Sequence, residues 1–142
     1  MKHLFFTVLT AVAVLTTLSF AGCKNGQNGQ EPDLPAESTW SKAVKEHPFL
    51  AHFPKYDYDY QGTYQKVVGV EMYQVTDWSG NEQKFKEYRD KLEKENFTLD
   101  SELSEKAVNY IKTGETGETL EAYITLTNLA LNINLSSQPK DW

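Results

Sequence analysis

Between residues 120 and 135 apolar residues alternate with polar ones, and the phase of the alternation flips once. Leu120, Ala122, Ile124 and Leu126 hold even positions; Leu129, Leu131, Ile133 and Leu135 hold odd ones. A period of two marks a strand buried on one face. The flip across Thr127–Asn128 is what a two-residue hairpin loop requires if both apolar rows are to stay on one side. This pattern commits the chain to an antiparallel sheet with a buried face. The opposite side is polar: Asn132 and Asn134, with Thr125 and Thr127, line a face expected to stay partly open, and Asn132 and Asn134 are candidate residues of an interaction surface.

The remaining elements are read outward from that hairpin. Residues 107–112 (AVNYIK) form another strand, joined to residues 119–127 by the turn Gly114-Glu115-Thr116-Gly117. A G-x-x-G sequence clamps nucleic-acid backbone in some domains, but between two strands of an acidic chain it reads as a hairpin turn. Residues 97–103 are a strand or an extended link. Residues 66–76 carry Val67, Val68, Val70, Met72, Tyr73 and Val75 on both faces, as an interior strand would. Residues 80–95 are helical, with Phe85, Tyr88 and Leu92 in one narrow apolar stripe, Ser79 and Glu82 at capping-box spacing, and Asn96 suited to the left-handed position after the helix. Residues 40–46 form a short helix that Ser38 or Thr39 caps and Pro48 ends. Residues 47–54 form an apolar loop, and residues 136–142 a polar tail.

Helices on one face and strands beside them give an α+β domain: an antiparallel sheet of about four to five strands, one long helix packed on one face, and a short N-terminal helix. The expected organisation is a signal peptide at 1–22, a tether at 23–38 and a single domain at 39–142.

Residues 1–3 are a short positive start, residues 4–20 hold no charge, and Ala21 and Gly22 are small residues directly before Cys23, the one cysteine of 142 residues. This is the order of a secretory signal. The uncharged run lies at the short end for a membrane-spanning helix, is diluted by four threonines and a serine, and is followed by no basic cluster, so cleavage is favoured over spanning. Phe20-Ala21-Gly22-Cys23 resembles the lipobox of bacterial lipoproteins, with Phe20 where Leu is usual. That resemblance covers residues 1–23. It implies a diacylglycerol thioether on the Cys23 sulfur, palmitate-type acylation of its amino group and stable attachment to a membrane. Lys24 in the following position, where Asp would favour the inner membrane, implies the cell envelope's outer membrane, with the domain facing periplasm or exterior. Residues 24–38, KNGQNGQEPDLPAES, have almost no apolar side chains and read as a spacer of about 20 Å root-mean-square reach.

Loss of residues 1–22 removes Lys2 and takes the formal charge from −6 to −7. An acidic domain does not collect phosphate backbones, so nucleic acid is not an expected partner. The expected partners are a membrane, through the lipid on Cys23, and an envelope protein. Tyr56, Tyr58, Tyr60 and Tyr64 lie in YDYDYQGTY with a period close to two. They are candidate residues of a binding surface, against the favoured reading that they pack over the sheet or its edge. His47 and His52 lack the i, i+4 spacing of a helical ligand pair, and Asp57 and Asp59 lack the rest of a calcium loop, so no metal and no cofactor is expected. No G-x-S-x-G, Walker loop or dinucleotide fingerprint occurs. The sequence therefore suggests a lipid-anchored, non-catalytic binding or assembly-accessory domain. The alternative is a small hydrolase or carbohydrate-binding domain that uses residues 56–64.

Overall fold

The computed structural model describes residues 38–142. The elements in chain order are α1 (Thr39–Glu46), a 3-10 turn (Pro48–His52), β1 (Gln61–Val67), β2 (Val70–Asp77), α2 (Glu82–Lys94), β3 (Thr98–Ser104), β4 (Ala107–Thr113), β5 (Thr119–Leu126) and β6 (Leu131–Gln138). All six strands join one antiparallel sheet in the order β1-β2-β6-β5-β4-β3. This corrects the expected α+β fold of four to five strands with one long helix. Strand residues outnumber α-helical residues about two to one, α2 is 13 residues long and α1 is 8. The domain is mostly β.

Two misread segments account for the difference. The stretch 66–76 is not one interior strand but the corner of a hairpin. Val67 pairs with Val70, leaving Val68 and Gly69 as a two-residue loop with φ of 46° and 85°. Positive φ at both central residues gives the tight turn whose twist matches that of the flanking strands. Glycine adopts it freely. Val68, β-branched and 76% exposed, adopts it under strain. The run VVGV hides this turn because its apolar residues continue through it. The second segment is the supposed polar tail. β6 continues through Gln138, and Ser136 pairs with Met72 on one side and Glu121 on the other. A central strand bonded along both edges does not need apolar side chains on its solvated face.

The β5–β6 hairpin keeps the expected faces but not the expected loop. Leu126 pairs with Leu131, so the loop holds four residues, 127–130. Four is also an even number, which is why the parity flip survives. Thr127 Oγ1 accepts from the Leu129 and Ala130 N–H groups at 3.2 and 3.1 Å, and Leu129 points to solvent, outside the buried row.

α2 connects β2 to β3, which are four inter-strand spacings apart. At about 4.8 Å per spacing the helix must cross about 19 Å, and 13 residues at 1.5 Å rise supply about 20 Å. Its stripe Phe85, Tyr88 and Leu92 is buried against the sheet. Asn81, not Ser79, caps its start, accepting from the Lys84 N–H at 3.0 Å. Its end is a Schellman cap: Asn96 has φ 64°, its N–H reaches Glu93 O, and the Phe97 N–H reaches Leu92 O at 2.9 Å. Ser38 caps α1 through the Ser41 N–H, and Trp40 and Ala43 are buried beneath that helix. Phe49, Leu50 and Phe53 of the 3-10 segment fill the same core, whose floor is Val75, Val108, Tyr110, Ala122, Ile124, Leu131, Ile133 and Leu135. The described residues, 38–142, form one compact unit.

Candidate functional site

The helices and the 53–60 loop cover one face of the sheet. The four tyrosines singled out in the sequence all lie on that side, and three of them precede β1. Tyr56 is buried and donates to Asp77 Oδ2 at 2.5 Å. Asp77, 1% exposed at the end of β2, is fully paired: its Oδ1 accepts from the Ser79 N–H and Oγ, both at 2.8 Å, and Lys84 Nζ reaches Oδ2 at 2.9 Å. Burial raises the Asp77 pKa, but the hydrogen bonds from Tyr56, Lys84 and Ser79 outweigh it, so the carboxyl lies below its ordinary value. Burial first, and then the bond to Asp77, pushes the Tyr56 hydroxyl far above its ordinary value.

Lys84 Nζ also lies 4.4 Å from the centroid of the Tyr58 ring, and Tyr58 donates to the Glu87 carboxylate. Tyr60 packs edge-on against Trp40, Tyr56 and Tyr73. Tyr64 donates to Glu71 and stacks on His47 at 3.9 Å. Tyr73 in turn lies over Gly62, where a side chain would collide with its hydroxyl. These rings thus fasten the segment ahead of β1 to β2 and α2, in line with the packing reading.

Asp57, which with Asp59 lacks the rest of a calcium loop, pairs with Lys91 and Lys55. Among the described residues no group of three or more His, Cys, Asp or Glu side chains is placed to hold a metal ion. No described helix is long and apolar enough to cross a membrane. Cys23 lies outside the described residues.

The opposite face of the sheet is uncovered by any described element, and cross-strand register orders its side chains into rows. The central row runs Thr63, Gln74, Asn134, Tyr123, Asn109 and Ser101 from one edge to the other. A second row holds Gln65, Met72, Ser136, Glu121, Ile111 and Thr98, and a third holds Gln61, Thr76, Asn132, Thr125, Ala107 and Ser104. Of these positions only Glu121 is charged, in a chain with 24% charged residues. Asn132 and Asn134, expected on this face, are both there. Asn132 Oδ1 accepts from Thr76 Oγ1 at 3.2 Å, and Glu121 accepts from Asn109 at 2.8 Å.

A groove of about 310 Å³ lies over the first two rows, lined by Thr63, Gln65, Met72, Gln74, Glu121, Tyr123, Asn134 and Ser136. Beyond the third row, Trp78 stands 67% exposed beside a shallow depression of about 380 Å³ that it shares with Asp59, Tyr60, Gln61, Thr76, Asp77 and Ser79.

The sequence reading missed Tyr123, Gln74 and Trp78. The period-two pattern through 119–126 already placed Tyr123 opposite the apolar row. Gln74 was hidden by the misreading of 66–76 as a strand apolar on both faces, and Trp78, just beyond that stretch, belongs to no periodic pattern. No protein-family model, no curated protein and no solved structure matches this chain.

Proposed function

We propose that this chain is a lipid-anchored, non-catalytic binding domain of the cell envelope, held through Cys23 and presenting the open face of its sheet to a ligand. The observation that carries the reading is the chemistry of that face. An antiparallel sheet tolerates water on one side, and a merely solvated side is ordinarily studded with charges of both signs. Here three full rows hold amides, hydroxyls and a few apolar side chains around one carboxylate, and a groove is sunk into them. The resemblance of residues 20–23 to a lipobox supports the anchor, and the polar run 24–38 supports a tether that gives the face room to meet a ligand.

The covered side supports the same choice of surface. The hydroxyls of Tyr56, Tyr58 and Tyr64 are engaged by Asp77, Glu87 and Glu71, so the tyrosine segment is committed to packing.

The test uses single cysteines. With Cys23 acylated, Asn134→Cys and Asp90→Cys each place one free thiol, on the open face and on exposed α2 respectively. Maleimide labelling at position 134 is expected to be slower in intact envelope than in the purified protein, with no such difference at position 90. Equal labelling at 134 in both states overturns the reading. The anchor is tested separately: Cys23→Ser should abolish palmitate incorporation and membrane fractionation, and retention of both would refute lipid attachment.

A further inference from the structure

We infer that the ligand of the open face is a neutral saccharide chain, which stacks on Trp78 at one end and meets Tyr123 and the amides of Gln74 and Asn134 in the groove. The inference rests on the proposed use of this face and goes further by naming the ligand's chemistry.

Three features select that class. The first is charge. The three rows carry Glu121 as their one formal charge, and the hollow beside Trp78 adds Asp59 next to the fully paired Asp77. The surface therefore offers no cation to a phosphate, a carboxylated polymer or an anionic lipid headgroup, and a cationic segment would meet one unneutralised carboxylate in each hollow. The second is hydrogen bonding. An amide side chain carries an acceptor oxygen and two donor hydrogens, and a hydroxyl carries both roles in one atom. Gln65, Gln74 and Asn134 beside Thr63, Ser136 and Tyr123 therefore match a ligand whose surface is also hydroxyls. Among the described residues Gln65, Asn134 and Tyr123 have no side-chain hydrogen-bond partner, so their groups are available to it. The third is the aromatic pair. The flat face of a sugar ring is apolar and the faces of indole and phenol rings are electron-rich, so the two stack while the ring's hydroxyls stay free to bond.

The separation of the two aromatics sets the ligand's length. Tyr123 is level with Gln74 two strands away, and Trp78 is four residues beyond Gln74. At about 3.3 Å per residue and about 4.8 Å per strand, they stand on the order of 16 Å apart. A single sugar does not bridge that distance; an oligosaccharide does.

The experiment presents the full lipidated chain in detergent to an array of neutral and acidic oligosaccharides of graded length, followed by titration calorimetry with the best neutral one. Binding is expected to favour neutral chains, to strengthen with length and to hold its affinity as salt is raised, because no ion pairs are made. Trp78→Ala and Asn134→Ala are each expected to weaken it about tenfold, the scale of one well-made aromatic or polar contact. Both side chains are exposed, so both variants should fold, which circular dichroism checks; Asp90→Ala on α2 should bind as wild type. Three results would overturn the inference: no neutral saccharide retained, acidic glycans preferred with steep salt dependence, or Trp78→Ala binding unchanged. If position 134 remains protected in the envelope while the saccharides fail, the occupant is a protein and the proposed use of the face stands. If protection is also absent, both fall.

Discussion

Ile133 and Asn134 are neighbours in β6, yet they face opposite sides of one sheet and obey different rules. Ile133 is fully buried beneath the helices, in register with Ile124 and Val75. Asn134 is exposed, in register with Gln74 and Tyr123. On the covered face most polar groups are fixed by specific partners, as when Asp77 gathers Tyr56, Ser79 and Lys84, the buried Tyr60 hydroxyl being an exception. On the open face several polar side chains have no partner among the described residues. The first arrangement holds the fold, because an unpaired polar group buried there would be expensive. The second is available for recognition, because water already solvates it and a ligand replaces that water at little loss.

The sharpest way to break this division is at Asp77. Asp77→Ala leaves Tyr56 with no acceptor and Lys84 with Ser79 Oγ in place of the carboxylate, and is expected to destabilise the domain by about 3–5 kcal/mol in urea unfolding. The pH dependence has a defined sign. The folded Asp77 carboxyl ionises at lower pH than the unfolded one, whose value is about 3.9. Its contribution is therefore present above the unfolded value and is lost as pH falls through the folded one. Acidification from about pH 5 down past the unfolded value of about 3.9 should reduce wild-type stability more than that of Asp77→Ala; parallel curves over that range would show that the carboxylate is not the linked group.

The next largest effect is Ile133→Ala, expected to cost about 2–5 kcal/mol through lost burial and a cavity, read as a lowered denaturation midpoint. A smaller change tests the turn that assigns β1 and β2 to their faces. Val68→Asn gives the Asn-Gly pair suited to positive φ at both positions, and should stabilise by about 1 kcal/mol in thermal unfolding. No gain would mean that Val68 is not strained. The smallest effect belongs to the open face: Asn134→Ala should change stability by less than about 0.5 kcal/mol, while weakening ligand binding as described above. A large stability loss there would erase the distinction between the two faces.

Much of the covered face was legible in the sequence. The helical stripe of Phe85, Tyr88 and Leu92 follows from 3.6-residue periodicity, the left-handed Asn96 from its side-chain chemistry, and the apolar rows of β5 and β6 from a period of two. The tyrosine segment was only half legible. Its near-regular spacing suggested one extended face, whereas Tyr56, Tyr58 and Tyr60 lie ahead of β1 and each hydroxyl meets a different environment. The turn at Val68–Gly69 was hidden because a β-branched residue at positive φ contradicts local preference and is held there by the pairing of the flanking strands.

The sequence by itself determined which residues of each well-patterned strand share a side, because that parity is local and a slip of one residue would expose the whole apolar row. Only the tertiary structure decided which strands lie beside one another. β6 enters between β2 and β5, and that insertion brings Gln74 into one row with Asn134 and Tyr123 although it lies far from both in sequence. Strand order follows from how α2 spans the sheet and how its core closes, a balance of long-range contacts that no local pattern records.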